Sequence, residues 1–256
     1  MAQTALITGA SSGIGEEFAR ALSSRGHELI LVARRENRLR DLAKELPGTA
    51  HVVACDLGSD AAGLPGKVAG LGLDVDLLVN NAGFGTYGRV AEIDEGRDAE
   101  MVRVNCEAVV TLTRAFLPAM VKRGSGGVIV VASTAGLQPI PYETTYAASK
   151  AFALSFTEAL HTELRGSGVK AMAVNPGPVP TEWQAITGDP DAAKRVPGSI
   201  PAARVVEESL RAYDKGKRSI VPGRTIRWFL RVTGPGPKAA QLRVTEKMFR
   251  PDGSRD

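Results

Sequence analysis

A chain of 256 residues that is 43% hydrophobic and 23% charged holds enough apolar material for one sizeable core, which excludes disordered and fibrous classes. The formal net charge of +4 is gathered at the end: from Lys217 onward ten Lys or Arg face three Asp or Glu, so the body of the chain is slightly acidic and offers no nucleic-acid surface. Cys55, Cys106 and the scattered His27, His51 and His161 match no metal-ligand spacing, so no metal is expected and the thiols read as small core residues of a reducing compartment.

Short, nearly all-apolar runs near 4–8, 28–33, 51–54, 75–79, 127–132, 169–174 and 218–221 read as strands. Helical periodicity covers about 14–25, 36–46, 60–70, 97–123, 144–166 and 204–215. Strands without polar alternation belong to a parallel sheet covered on both faces. The alternation of β and α then predicts a single α/β domain, a Rossmann-like doubly wound parallel sheet of seven strands with helices on both faces. No apolar stretch is expected to approach the roughly 20 residues that span a bilayer. The start lacks a basic segment ahead of an apolar one, so the cytoplasm is the expected location.

Ligands of such sheets bind beyond the C-terminal ends of the strands. The residues that carry chemistry follow the strands there. After the first comes Gly9-Ala10-Ser11-Ser12-Gly13-Ile14-Gly15, spaced G-x-x-x-G-x-G. Glycines admit a ligand close to the backbone, and the helix start offers free N–H groups to a pyrophosphate. After the second come Arg34 and Arg35, with no acid at the strand end. An acid would bind the free 2′-hydroxyl of NAD, whereas guanidinium pairs with the 2′-phosphate of NADP, so NADP(H) is the expected cofactor. Asp56 follows the third strand, Asn80 the fourth, Ser133 the fifth and Pro176 the sixth. Tyr146 and Lys150 are four residues apart in one helical pattern and share a face. An ammonium beside a phenol is expected to lower the phenol's pKa and fit it for proton transfer near neutral pH.

Thr8 to Gly15, Asn80-Asn81-Ala82-Gly83, Asn105, Ser133, Tyr146, Lys150 and Asn175-Pro176-Gly177 stand in an order and spacing that closely resembles the short-chain dehydrogenase/reductase family, over about residues 3–181. The resemblance implies that Tyr146 gives the proton in reduction and takes it in oxidation. It implies that Lys150 tunes Tyr146 and hydrogen-bonds the nicotinamide ribose, that Ser133 holds the substrate oxygen, and that Asn105 orders a water linking Lys150 to solvent. Asn81, Ala82 and Gly83 would lie beside the adenosine ribose, Asp56 and Leu57 at the adenine, and Pro176, Gly177, Val179 and Thr181 at the nicotinamide amide.

By the same resemblance the substrate lies between the 84–94, 134–145 and 182–203 loops, where Phe84, Tyr87, Leu137, Ile140, Tyr142, Trp183 and Ile186 give an apolar lining. The expected reaction is reduction of a ketone or aldehyde on a hydrophobic, lipid-like substrate. One alternative is an NAD(P)-dependent alcohol dehydrogenase running oxidatively. Another is a non-catalytic dinucleotide-binding regulator, which the presence of both Tyr146 and Lys150 argues against. Residues 1–216 are expected to form the dinucleotide-binding catalytic domain, and 217–256 the last strand and a basic extension packed on it. Pairing through the 97–123 and 144–166 helices would give a homo-dimer or homo-tetramer. Within the extension, Ile226 to Val232 mixes bulky apolar residues with arginines; it can lie on an anionic membrane surface, pack on its own domain or close a dimer.

Overall fold

A computed structural model describes residues 3–94, 96–188, 196–233 and 237–251. Its sheet is wholly parallel, in the order β3-β2-β1-β4-β5-β6-β7. The strands are β1 (Thr4–Thr8), β2 (Glu28–Ala33), β3 (Ala50–Ala54), β4 (Leu77–Asn80), β5 (Gly126–Val131), β6 (Val169–Val174) and β7 (Ser219–Ile220). The helices in the first half are α1 (Gly13–Ser24), α2 (Glu36–Glu45), α3 (Leu64–Ala69), α4 (Arg97–Val102) and α5 (Ala108–Arg123). A 3₁₀ turn (Thr134–Leu137) precedes α6 (Thr144–Glu163), α7 (Trp183–Thr187), α8 (Ala202–Asp214), α9 (Arg224–Thr233) and α10 (Lys238–Phe249).

Alternate residues of each strand feed opposite faces, as the two-residue period of a pleated strand requires. Leu6, Ile30, Leu78 and Val128 pack with Leu64 of α3, Leu112 of α5 and Ala153 of α6. Ala5, Leu31, Val79 and Ile129 pack on the other face with Phe18 of α1, Leu39 of α2 and Val206 of α8. Each fully buried Leu, Ile or Val contributes about 1.5–3 kcal/mol, so the two layers hold the strand ends in fixed register beneath the loops.

Three expected elements differ. The 97–123 segment is a single helical run by hydropathy, and it is long and apolar enough to cross a membrane, contrary to the sequence expectation. In the fold Met101, Ala108, Leu112 and Met120 are buried in the cores instead. A π-helical turn, Arg103–Glu107, interrupts it and carries Asn105. Such turns insert one extra residue and re-aim the helix face, often at functional sites. Helix α3 begins only at Leu64, because Pro65 in its first turn has no N–H to give and sets the start. The 182–203 segment is not all loop: α7 lies in it, while 189–195 fall outside the described residues.

Candidate active site

Side chains of Thr8 and Asn81 tie two strand ends together. Thr8 Oγ1 accepts from the Asn81 and Ala82 N–H groups, both at 3.0 Å, and Asn81 Nδ2 donates to Thr8 O at 2.9 Å. These bonds lock the end of β4 to the end of β1 and set the glycine turn. At Gly15 an added Cβ would fall 2.2 Å from Gly9 O, so only glycine lets α1 start this close to the strand. Ser12, the N-cap of α1, makes no side-chain cap, so the first N–H groups of the helix stay open to an anion.

A cavity of about 520 Å³ opens over these strand ends. Gly9, Ser11, Ser12, Gly13 and Ile14 line it, as do Arg34, Arg35, Asp56 and Leu57. Asn81, Ala82, Gly83, Pro176, Gly177, Val179 and Thr181, also expected at the cofactor, line it too, and Ser133, Tyr146 and Lys150 stand in the same wall. Gly15 and Asn105 lie outside the lining, Gly15 beneath the turn and Asn105 behind Gly83. An added Cβ on Gly83 would sit 2.9 Å from Asn105 Oδ1 and 3.1 Å from Lys150 Nζ, so glycine alone keeps that approach open. Asn105 donates to Phe84 O and Ser149 Oγ, each at 2.9 Å, and accepts from Phe84 N–H at 3.2 Å. Its side-chain amide is therefore engaged in pinning the 83–84 turn to α6.

Tyr146 and Lys150 face one way from α6, but they are not in direct contact at their polar ends. Lys150 Nζ donates to Val131 O at 3.0 Å and lies 5.9 Å from the centroid of the Tyr146 ring. Burial pushes the Tyr146 phenol above its ordinary range, and the Ser133 hydroxyl hydrogen-bonded to it pulls back only part of the way. The expectation of a phenol lowered by its lysine is thus reversed in this structure, because desolvation outweighs a cation aimed at a carbonyl. Burial also lowers Lys150 to about 8. Trp183 of α7 closes over the phenol, with ring centroids 5.2 Å apart.

The arginines at the end of β2 separate. Arg35 donates to Ser11 Oγ and, at 2.9 Å, to Ser12 Oγ, and its Nη1 holds Glu182 at 2.8 Å. Arg38, one turn along α2, grips the other oxygen of Glu182. Bonding to Arg38 and then Arg35 brings the Glu182 carboxyl down to about 2. Arg34 turns aside to Glu100 at 3.3 Å. Asp56 accepts from Gly58 N–H at 2.9 Å, so it shapes its own turn while lining the cavity. Arg38 was missed in the sequence, where three-residue spacing from Arg35 on one helix face was the available signal.

Of the apolar residues expected at the substrate, Phe84, Ile140, Trp183 and Ile186 line the cavity. Tyr87 does not; it borders a separate hollow and donates to Phe249 O at 2.9 Å. Leu137 is exposed, and Tyr142, held at φ +67°, packs beside the cluster rather than in the wall. Their places are taken by Ile226, Phe229 and Leu230 of α9 and by Val244, Met248 and Phe249 of α10. Spacings of three and four from Ile226 in α9, and of four from Val244 to Met248 in α10, were the legible sign of an inward apolar face.

The family model for short chain dehydrogenase matches residues 3–191, most of the chain and all of the strand-end residues described above. The chain belongs to the short-chain dehydrogenase family. This dehydrogenase is 39% identical over 228 residues to a short chain dehydrogenase of Pseudocercospora fijiensis, covering 86% of this chain and 72% of that one. It is 30% identical over 256 residues to the very-long-chain 3-oxoacyl-CoA reductase of Anas platyrhynchos, covering 96% and 80%. Among solved structures, a short-chain dehydrogenase from Sphingobium yanoikuyae in complex with NADPH superposes with a TM-score of 0.79 at 28% identity, over 99% and 98% of the two chains. The dehydrogenase is accordingly an oxidoreductase that uses a nicotinamide dinucleotide.

Proposed function

We propose that this enzyme uses NADPH to reduce a ketone or aldehyde on a hydrophobic, lipid-like substrate. The observation that carries the cofactor preference is the grip of Arg35 on an anion: its guanidinium already holds the Glu182 carboxylate beside the Ser11 and Ser12 hydroxyls. A 2′-phosphate suits the same donors, in the bidentate manner that guanidinium favours. The glycine turn and the open start of α1 fit a pyrophosphate equally well. The Sphingobium relative was solved with NADPH, which supports the same choice.

A bound nicotinamide supplies the hydride; proton handling falls to the protein. Tyr146, kept protonated by burial, suits the part of donor to the developing alkoxide, and Ser133 beside it would hold that oxygen. Lys150, close against Gly83, would bind the ribose and favour the phenolate once the proton has left. Asn105 acts as a positioning residue that fixes the turn between them. A protonated donor favours reduction over the oxidative alternative, which needs the phenolate at the start. The apolar wall from Phe84 to Phe249 fits an acyl chain or ring system, and the Anas relative is named for a very-long-chain 3-oxoacyl-CoA substrate. Exposed Val121 on α5 and Phe152 on α6, the latter stacked on Phe156, support pairing of two copies through those helices.

Fluorescence titration of the purified protein with NADPH and NADH tests the cofactor reading. NADPH should bind at least tenfold tighter, a difference of about 1.4 kcal/mol, and Arg35→Ala should remove most of that margin while leaving NADH unchanged. Equal binding of the two cofactors by the wild type would sink the assignment of Arg35.

A further inference from the structure

We propose that the outer faces of α9 and α10 seat this enzyme on an anionic lipid bilayer, with the mouth of the cavity turned toward the membrane. The inner face of α9 walls the cavity through Ile226, Phe229 and Leu230, and Ile226 is fully buried. At 100° per residue the opposite face of the same helix carries Arg224, Trp228, Arg231 and Val232. Trp228 is 66% exposed and Val232 60% exposed, one turn apart. A single exposed valine needs no explanation, but a tryptophan and a valine stacked on an arginine-bearing face form a patch. Helix α10 adds Val244, 52% exposed, and α7 adds Ile186, 43% exposed; both also line the cavity and so stand at its mouth.

Charge decides the occupant. Across the described part of residues 224–250, seven Lys or Arg accompany one acid, Glu246. Arg227 pairs with Glu208 and Arg250 with Glu246. Among the described residues no carboxylate pairs with Arg224, Arg231, Lys238, Arg243 or Lys247, and all five are exposed. A second copy docked through the same face would set these cations against their own kind. Nucleic acid would satisfy the cations and leave Val232 and Val244 with no apolar phase to enter. An anionic bilayer does both: its headgroups attract the cations, and its interface takes tryptophan and aliphatic side chains. The docking rests on the helix faces alone. It also explains how a lipid-like substrate would reach the cavity, a reading that is tested separately by turnover.

The test is sedimentation of the full-length protein with vesicles, in about 0.1 M salt, where screening is moderate. Vesicles of phosphatidylcholine with one-third phosphatidylglycerol should carry the protein down at least tenfold more effectively than phosphatidylcholine alone, and salt should release it. Trp228→Glu with Val232→Glu should abolish the binding. Unchanged circular dichroism and NADPH affinity would show that this variant is folded. Absence of binding to the anionic vesicles overturns the proposal, as does equal binding by the variant. It is also overturned if the wild type pairs through this face, shown by sedimentation velocity in which the double variant alone is monomeric. An oligonucleotide that competes the protein off only through Arg224 and Arg231, with the double variant binding it normally, would move the face to nucleic acid.

Discussion

At one end of the cavity Tyr146 and Lys150 sit on α6 away from water; at the other, Arg35, Arg38 and Glu182 meet near the surface. Both ends hold charged or ionisable groups, of which Tyr146, Lys150 and Arg35 line the cavity, yet they obey different physics. In the buried pair desolvation is the largest influence: it lifts the phenol and lowers the ammonium, each toward its neutral form. In the exposed trio, hydrogen bonding between opposite charges dominates and Glu182 stays ionised almost to pH 2. A group held in a dry site changes the chemistry when removed, whereas one paired in water is worth little. Substitutions at the two ends should therefore differ in size by orders of magnitude.

The largest expected effect is at the buried end. Tyr146→Phe keeps the ring against Trp183 and removes only the hydroxyl. Losing a positioned general acid costs about 10²- to 10⁴-fold. That loss should appear in kcat for the reduction, with NADPH affinity unchanged in a parallel titration. A drop of less than tenfold would mean that the proton comes from elsewhere.

Lys150 gives an intermediate effect with a sign that can be checked twice. Its ammonium titrates near 8 in the fold, against an ordinary value of 10.5. If the charge assists Tyr146, kcat/KM should fall as pH rises through about 8. Stability should move the other way. Below 8 the group is protonated in both states; between 8 and 10.5 the unfolded chain keeps the proton that the fold releases, so this group's contribution to stability rises with pH. A pH–rate profile and thermal melts on the same samples would separate the two. Activity that stays level to pH 10 would free Lys150 of its electrostatic part.

What could be read in advance divides along the same line. Gly9 to Gly15 and Asn81 stand where a tight turn, a helix start and a strand-end hydrogen bond each demand one residue type, and the sequence carries those demands as spacing. Tyr146 and Lys150 were legible for the same reason, since a helix fixes which residues share a face. Their protonation was not. The phenol is dry because walls from distant segments, Trp183 among them, close around it, and no local pattern encodes that enclosure. Nor were α9 and α10 readable as a cavity wall: any apolar side chain of suitable size serves there, so Ile226 or Phe249 carries no signal beyond its period. The π turn at Asn105 was hidden inside an unbroken helical hydropathy pattern. Glu182 stayed invisible because its partners, Arg35 just before α2 and Arg38 in its first turn, lie far away in sequence.

The smallest effect is the most specific. In this structure the Glu182 carboxylate takes the guanidiniums of Arg35 and Arg38 that a 2′-phosphate would need. Glu182→Gln removes the competing charge and leaves the side chain's length. Exposed ion pairs are worth little, so NADPH should bind only about 1.5- to 5-fold tighter. NADH, which lacks the 2′-phosphate, should be unaffected. Because the carboxyl titrates near 2 and a phosphate monoester loses its second proton at about 6, the difference should hold level between about pH 7 and 9, and it should shrink as salt screens the pair. Weaker NADPH binding in Glu182→Gln would point the opposite way, to a carboxylate that orients Arg35 and holds the start of α7 over the site. The NADPH-to-NADH ratio, measured at two salt concentrations, separates a competitor from a brace.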